Sequence, residues 1–279
     1  MAPSLFSYET LVHALAGATG SVVGMAAFYP LDTLRSRLQV EDPKKLQGSS
    51  WELLLKLANE EGIDSLYRGL TPVLQSLSVS NFVYFYTFHA LRRSCAKNTS
   101  ALQDLMFGIV AGSINVLITS PLWVVNTRMK LEKNSYKNLS QGLFTLYKNE
   151  GAKGLWSGTV PSLLLVSNPA IQFMVYEALK RNLVARGRFD TYTAFLVGAL
   201  AKAVATTVTY PLQLIQSRLR AGTSMKPLLK DVKSNPLTIF RGLEAKLLQT
   251  VMTAALMFLI YEKLVRLVLT IMRVRLTKH

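Results

Sequence analysis

The chain has 279 residues, 50% hydrophobic and only 17% charged, yet it carries a net charge of +16 and a mean hydropathy of +0.25. Soluble domains usually hold about a quarter charged residues, and basic nucleic-acid binders rarely carry this much apolar sequence, so a membrane protein with basic loops facing anionic lipid or anionic solutes fits best. The single Cys95 excludes an internal disulfide, and three scattered histidines leave no metal-ligand spacing and no metal site to expect.

In chain order, Met1–Glu9 lacks a basic segment followed by an apolar core, so no cleavable signal is expected. The final residues are not the peroxisomal matrix tripeptide. Six apolar stretches follow, at Leu11–Leu38, Val73–Leu91, Leu102–Met129, Val160–Leu179, Tyr192–Leu219 and Ala245–Leu269. Each covers the roughly 20 residues that a helix needs to cross the hydrocarbon core. Polar and small residues recur within them, as when one face meets water or a neighbouring helix. Six buried helices of a soluble bundle are the alternative, but most charges lie between the stretches and not within them.

The odd-numbered stretches share one pattern. Pro30 opens Pro-Leu-Asp-Thr-Leu-Arg-Ser-Arg, Pro121 opens Pro-Leu-Trp-Val-Val-Asn-Thr-Arg, and Pro211 opens Pro-Leu-Gln-Leu-Ile-Gln-Ser-Arg, at intervals of 91 and 90 residues. A period of this kind fixes the architecture. A second element follows each: Glu61-Gly62 with Tyr67-Arg68-Gly69, Glu150-Gly151 with Trp156-Ser157-Gly158, and the worn Ser234-Asn235 with Phe240-Arg241-Gly242. A third closes each unit: His89 and Arg92 after Phe88, Glu177 and Lys180 after Tyr176, Glu262 and Val265 after Tyr261. The reading is three repeats, at 1–95, 96–185 and 186–279, forming one transmembrane domain. Proline lacks the N–H that continues a helix, so Pro30, Pro121 and Pro211 are expected to kink or break three helices at one level.

These three elements, in register three times over nearly the whole chain, resemble the mitochondrial carrier family of solute transporters. Ser80–Tyr86, Thr119–Arg128 and Gly242–Thr250 resemble its peroxisomal branch, described as carrying coenzyme A, FAD, NAD and nucleotides. The resemblance implies an all-α membrane fold, six transmembrane helices in three pseudo-symmetric repeats around a central cavity, with short connector helices on the organelle-interior side.

It also implies two gates. On the interior side, Asp32 is expected to face Asn126, Trp123 to face Gln216, and Gln213 to face Arg35, with Gln39 bridging one contact. In that reading no complete acid–base pair remains there. On the opposite side the expected pairs are His89 with Lys180, Glu177 with Val265, and Glu262 with Arg92. His89 has two readings, a titratable gate member or a surface histidine near a helix end.

Substrate contacts in such carriers lie halfway up the even-numbered helices. Thirteen residues before His89, Glu177 and Glu262 stand Ser76, Leu164 and Gln249. One turn on are Ser80, Asn168 and Thr253, followed by Tyr84 and Gln172 on the same faces. Stacking on Tyr84 with amide contacts from Asn168 or Gln172 would suit a flat heterocycle. Lys202, nine residues before Pro211, replaces the small residues Ser21 and Gly112 of the other repeats. A charge inside the bilayer is costly unless it meets water or an anion, so Lys202 is expected to reach the cavity, with snorkelling as the alternative. Lys246, three residues before Gln249, is the second candidate.

The expected function is transport of adenine-containing cofactors and nucleotides (CoA, FAD, NAD, AMP, ADP, ATP) across an organelle membrane, read as peroxisomal, by alternating access and mainly by exchange. These molecules are substrates, and no resident cofactor is expected. The expected partners are membrane lipid and a peroxisomal membrane-protein import receptor, with no nucleic acid and a monomeric chain. No nucleotide-binding glycine loop or catalytic cluster points to an enzyme. A mitochondrial inner-membrane carrier for another anion and a non-transporting membrane scaffold with the same fold stay open as alternatives.

Overall fold

The computed structural model describes residues 22–41, 48–94, 101–131, 136–184, 190–256 and 263. Among them every regular element is helical. In the first unit the chain is helical over 22–27, turns at Phe28 and resumes as α1 (Tyr29–Val40). Then come α2 (Ser50–Glu61), α3 (Ile63–Leu66) and α4 (Leu70–Ser94). The second unit holds α5 (Ala101–Leu131), α6 (Leu139–Leu155), α7 (Thr159–Leu165) and α8 (Asn168–Val184). The third holds α9 (Thr191–Arg220), α10 (Met225–Ser234), a short 3-10 helix (Pro236–Phe240) and α11 (residues 243–256).

Among the described residues, two helices are long and apolar enough to cross a membrane unaided: Gln103–Leu131, with mean hydropathy 1.8, and Thr193–Arg220, with 1.4. A third candidate is the pair Leu139–Leu155 and Thr159–Val184, bent by 55°. Gly151 (φ 67°) breaks α6 before its end, which makes α6 a surface connector leading into the span that α7 and α8 form. The expected first and last spans extend into residues 1–21 and 257–279, which lie outside the described residues but for Lys263.

Sequence dictates the connectors locally. Ser49 caps α2 by accepting from the Glu52 N–H, while the Glu52 carboxylate accepts from the Ser49 N–H, a reciprocal capping box. The buried face of α2 (Leu53, Leu57) packs on Leu34 and Leu38 of α1 together with Leu66. The second unit repeats the arrangement, with Val125 and Met129 of α5 against Leu146 and Leu155. Leu34 and Val125 each stand four residues after their proline, so the same core recurs at the same offset.

The second sequence element serves as a clasp on the proline segment. Tyr29 donates to the Arg68 carbonyl at 3.0 Å and Tyr210 to the Arg241 carbonyl at 2.7 Å. Tyr67 stacks on Tyr29 and Phe240 on Tyr210, with ring centroids 6.3 and 6.5 Å apart. The second unit has Ser120 in place of the tyrosine, and its clasp differs. There Trp156 donates its indole N–H to the Leu117 carbonyl at 2.8 Å. Leu117 lies four residues before Pro121, and its carbonyl is the one that the missing proline N–H leaves free.

The prolines act unequally. The helix is interrupted just before Pro30, whereas Pro121 and Pro211 lie inside α5 and α9, which run on as single helices. In a membrane, freed carbonyls must find new donors, and the Trp156 bond to Leu117 is one such replacement.

The arginines seven residues after each proline tie the units together. Arg37 forks onto Glu61 at 2.5 and 2.7 Å, and Arg128 forks onto Glu150. Each pair joins the first and second sequence elements within one repeat. The third repeat has Ser234 where the acid would stand, and Arg218 instead donates to the Gln39 carbonyl at 2.8 Å. Arg128 likewise donates to the Arg220 carbonyl at 3.2 Å. The third repeat is thereby bound to both others, through the Arg218 side chain to the first and through the Arg220 carbonyl to the second. The worn Ser234-Asn235 element also explains itself in the backbone. Gly62 and Gly151 take φ of 84° and 67°, while Asn235 is extended at −144° and needs no glycine.

Candidate functional site

At the level of the prolines, a cavity of about 250 Å³ is lined by Asp32, Arg35, Lys130, Arg220 and Lys246, together with the amides Gln39, Asn126, Gln213, Gln216 and Gln249. All seven residues expected at the interior gate border it, Gln39 and Trp123 included. Their partners differ from the expectation. Lys130 donates to Asp32, and both side chains are buried. Arg35 lies 3.6 Å from the same carboxylate, one turn along its own helix. One full acid–base pair therefore closes this level, where none was expected.

The reason is an offset of one helical turn. Five residues after the prolines stand Arg35, Asn126 and Gln216, and nine residues after them stand Gln39, Lys130 and Arg220. Positions four apart share a helix face, so the second and third repeats present a cation on the face where the first presents Arg35 and Gln39. Asn126, freed from Asp32, donates to Ser76 at 2.7 Å. Gln216 donates to Ser162 at 2.7 Å, not to Trp123, and Gln213 donates to Thr209 at 3.2 Å, not to Arg35. Gln39 does bridge two repeats, donating to the Tyr210 hydroxyl at 3.1 Å.

Two larger spaces adjoin this floor. One of about 630 Å³ is lined by Asn168, Lys202, Thr206, Lys246, Gln249 and Thr253, and shares Gln213 and Gln216 with the floor. The other, about 390 Å³, runs between α4, α5 and α7, past Ser80, Tyr84, Asn115, Val166 and Pro169, and meets the floor at Trp123, Gln216 and Arg220. Gln172 and Lys202 together line a further space of about 310 Å³.

Most candidate substrate residues thus face these spaces. Ser80 and Asn115 bond each other, and Tyr84 stacks on Phe88 at 6.2 Å. Asn168 donates to Thr209 at 2.6 Å. The Lys246 ammonium lies 3.4 Å from the Gln249 side-chain oxygen.

Two candidates fall elsewhere. Ser76 is fully buried behind the floor as acceptor for Asn126. Leu164 is 55% exposed and lines none of these spaces; Leu165 does. The expectation counted back along one continuous helix, but the chain turns at Val166–Ser167 between α7 and α8 and rotates the earlier residues.

Of the two small residues at the Lys202 position in the other repeats, Gly112 lies among the described residues and Ser21 outside them. A Cβ on Gly112 would lie 2.7 Å from Val166, whereas Gly198, one turn before Lys202, faces open space.

The opposite gate is partly described. Arg92 lies 3.4 Å from Asp104 of α5, and Lys180 lies 3.5 Å from Glu177 on its own helix. His89 is exposed. Glu262 and Val265 lie outside the described residues.

Arg220 and Lys130 were not among the candidate residues. Their signal was present, since both stand nine residues after a proline, as Gln39 does.

The family model described as Mitochondrial carrier protein matches residues 6–99, 97–187 and 187–271. The chain is 47% identical to "Peroxisomal membrane protein PMP34" of Mus musculus, over 99% of both chains. It is 31% identical to "Peroxisomal nicotinamide adenine dinucleotide carrier" of Arabidopsis thaliana, over 92% of this chain and 96% of that one. It is also 31% identical to "Peroxisomal adenine nucleotide carrier 1" of Glycine max, over 92% and 91%.

Proposed function

The chain belongs to the mitochondrial carrier protein family, and we propose that it carries adenine-containing cofactors and nucleotides across the peroxisomal membrane by alternating access, mainly as exchange. It is a transporter and not an enzyme. The observation that carries the reading is the cavity itself. Lys202 and Lys246 project into a 630 Å³ space bordered by amides and hydroxyls, and a 390 Å³ space with Tyr84, Asn115 and Val166 on its walls meets the same floor. Volumes of roughly 300–1,000 Å³ suit small-molecule ligands. Ionisable groups within a membrane mark substrate pathways.

In this arrangement Lys202 and Lys246 attract the phosphates, while Ser80, Tyr84, Asn168, Gln172, Gln249 and Thr253 supply stacking and hydrogen bonds to the heterocycle and sugar. Trp123, Asn126, Gln213 and Gln216 form the floor with the Asp32–Lys130 pair, which must part for release on the interior side. His89, Arg92, Glu177, Lys180 and Glu262 close the opposite mouth. Substrate drives the change only through binding one state better than the other. The relatives named as peroxisomal nicotinamide adenine dinucleotide and adenine nucleotide carriers support both the substrate class and the compartment. We read the working unit as a single chain, delivered to its membrane by an import receptor.

The test is uptake of labelled nucleotide into proteoliposomes preloaded with unlabelled CoA, FAD, NAD, AMP or ATP. Uptake that requires one of these inside supports the reading. Folded protein that exchanges none of them points to another anion or to a non-transporting scaffold.

A further inference from the structure

Among the described residues, the floor cavity holds four cationic side chains, Arg35, Lys130, Arg220 and Lys246, against a single carboxylate, Asp32. Lys130 takes that carboxylate, and Arg35 shares it at 3.6 Å. Among the described residues Arg220 has no acidic partner: its terminal nitrogen donates to Ser162 at 3.1 Å, its guanidinium lies 6.0 Å from the Trp123 ring, and its buried Nε has no hydrogen-bond acceptor. The Arg35 Nε is likewise buried without an acceptor. Uncompensated cations at membrane depth are costly, and a guanidinium with spare N–H donors matches phosphate oxygens. The acids that would have neutralised this ring are the residues two after each proline, and there the chain carries Trp123 and Gln213.

Arg220 also stands on the wall between two spaces, since it lines both the 250 Å³ floor and the 390 Å³ space that contains Tyr84 and Asn115. We propose that Arg220 is a further phosphate-reading residue of this carrier, beyond Lys202 and Lys246: the substrate's phosphate chain seats on Arg220 at the floor, where its charge stands in for the missing gate acids, while its heterocycle occupies the adjoining space. This deepens the substrate reading given above and rests on it. Two linked phosphates reach both Arg220 and the Arg35–Lys246 side of the floor, so substrates with a diphosphate are preferred over monophosphates, and nucleosides are poorest. The phosphate also arrives beside Lys130 and competes with Asp32, which loosens the ion pair that joins the first two repeats at the floor.

The test uses the full-length protein in proteoliposomes, with labelled ADP uptake competed by inorganic pyrophosphate, orthophosphate and adenosine. In the wild type pyrophosphate competes more strongly than orthophosphate. In Arg220→Gln, which keeps an amide for Ser162, half-inhibition by pyrophosphate is expected at about tenfold higher concentration or more, with adenosine unchanged. Equal pyrophosphate inhibition in wild type and Arg220→Gln overturns the proposal. If Arg220→Gln does not fold, the wild type decides alone, because failure of pyrophosphate to compete at millimolar concentration also overturns it. If the wild type takes up no ADP, the nucleotide reading fails separately. The thermal shift of the detergent-purified protein with pyrophosphate then tests the anion site: a rise in Tm lost in Arg220→Gln supports it, and the same rise in both, or none in the wild type, overturns it.

Discussion

Lys130 donates to Asp32 across the cavity floor, joining α5 of the second repeat to α1 of the first, with each side chain only 9% exposed. The acid of the first proline motif finds its cation nine residues after Pro121 and not five, where Asn126 stands. Buried pairs contribute little net stability when whole, but removing one member leaves an uncompensated charge and costs about 3–5 kcal/mol.

Asp32→Asn and Lys130→Gln are therefore each expected to loosen the floor. Preloaded substrate should leak severalfold faster into substrate-free buffer, and the double variant Asp32→Lys with Lys130→Asp should recover part of the tightness. Efflux from proteoliposomes measures it. Single variants as tight as the wild type would show that the pair is not a gate.

Lys202→Ala is expected to reduce the apparent affinity for phosphate-bearing substrates about tenfold, the equivalent of about 1.4 kcal/mol. Leu164→Ala should leave uptake within about twofold, because Leu164 faces away from the described cavities. Uptake kinetics with both variants separate the cavity wall from the outer surface.

Glycine is required at two clasps for two reasons at once. Gly69 and Gly242 have φ of 82° and 83°, and an added Cβ would lie 3.3 and 2.9 Å from the Tyr29 and Tyr210 hydroxyls. Left-handed backbone costs a residue with a side chain about 1–2 kcal/mol. Gly69→Ala and Gly242→Ala should lower Tm more than Gly151→Ala, which has φ of 67° but nothing within 4 Å. Thermal unfolding in detergent gives the order.

The Arg128 hydrogen bonds hold the Glu150 carboxyl below its ordinary value of 4.5. A lowered carboxylate stabilises the fold above its unfolded pKa, and the contribution fades as pH falls through the folded value. Glu150→Gln should thus lower Tm at neutral pH, and the gap from wild type should close below about pH 4.5. A gap that persists unchanged in acid would mean that packing, and not charge, sets it. The effect will be modest, since the Glu150 side chain is 43% exposed and solvent screens it.

The three repeats were legible in the sequence because each carries its proline, glycine and aromatic at fixed spacing. Gate partners were not, because the cations had moved one helical turn, to Lys130 and Arg220, and a motif read at a fixed offset passes over them. Leu164 was misplaced for a different reason. Counting along a helix assumes that it continues, and the signal against that, Asn168-Pro169 just after the turn at Val166–Ser167, is passed over. Trp156 shows a role that spacing alone does not reveal: within its motif it is simply the aromatic, and only the fold brings its N–H to the carbonyl that Pro121 frees.

The most direct test of the account is labelled ADP uptake by proteoliposomes that are either empty or loaded with unlabelled NAD, CoA or ADP, run with wild type and Lys202→Ala. The account predicts fast uptake into loaded vesicles, little into empty ones, and a marked loss in the variant. Uptake that ignores both the internal load and Lys202, or no uptake by folded wild type, would contradict it.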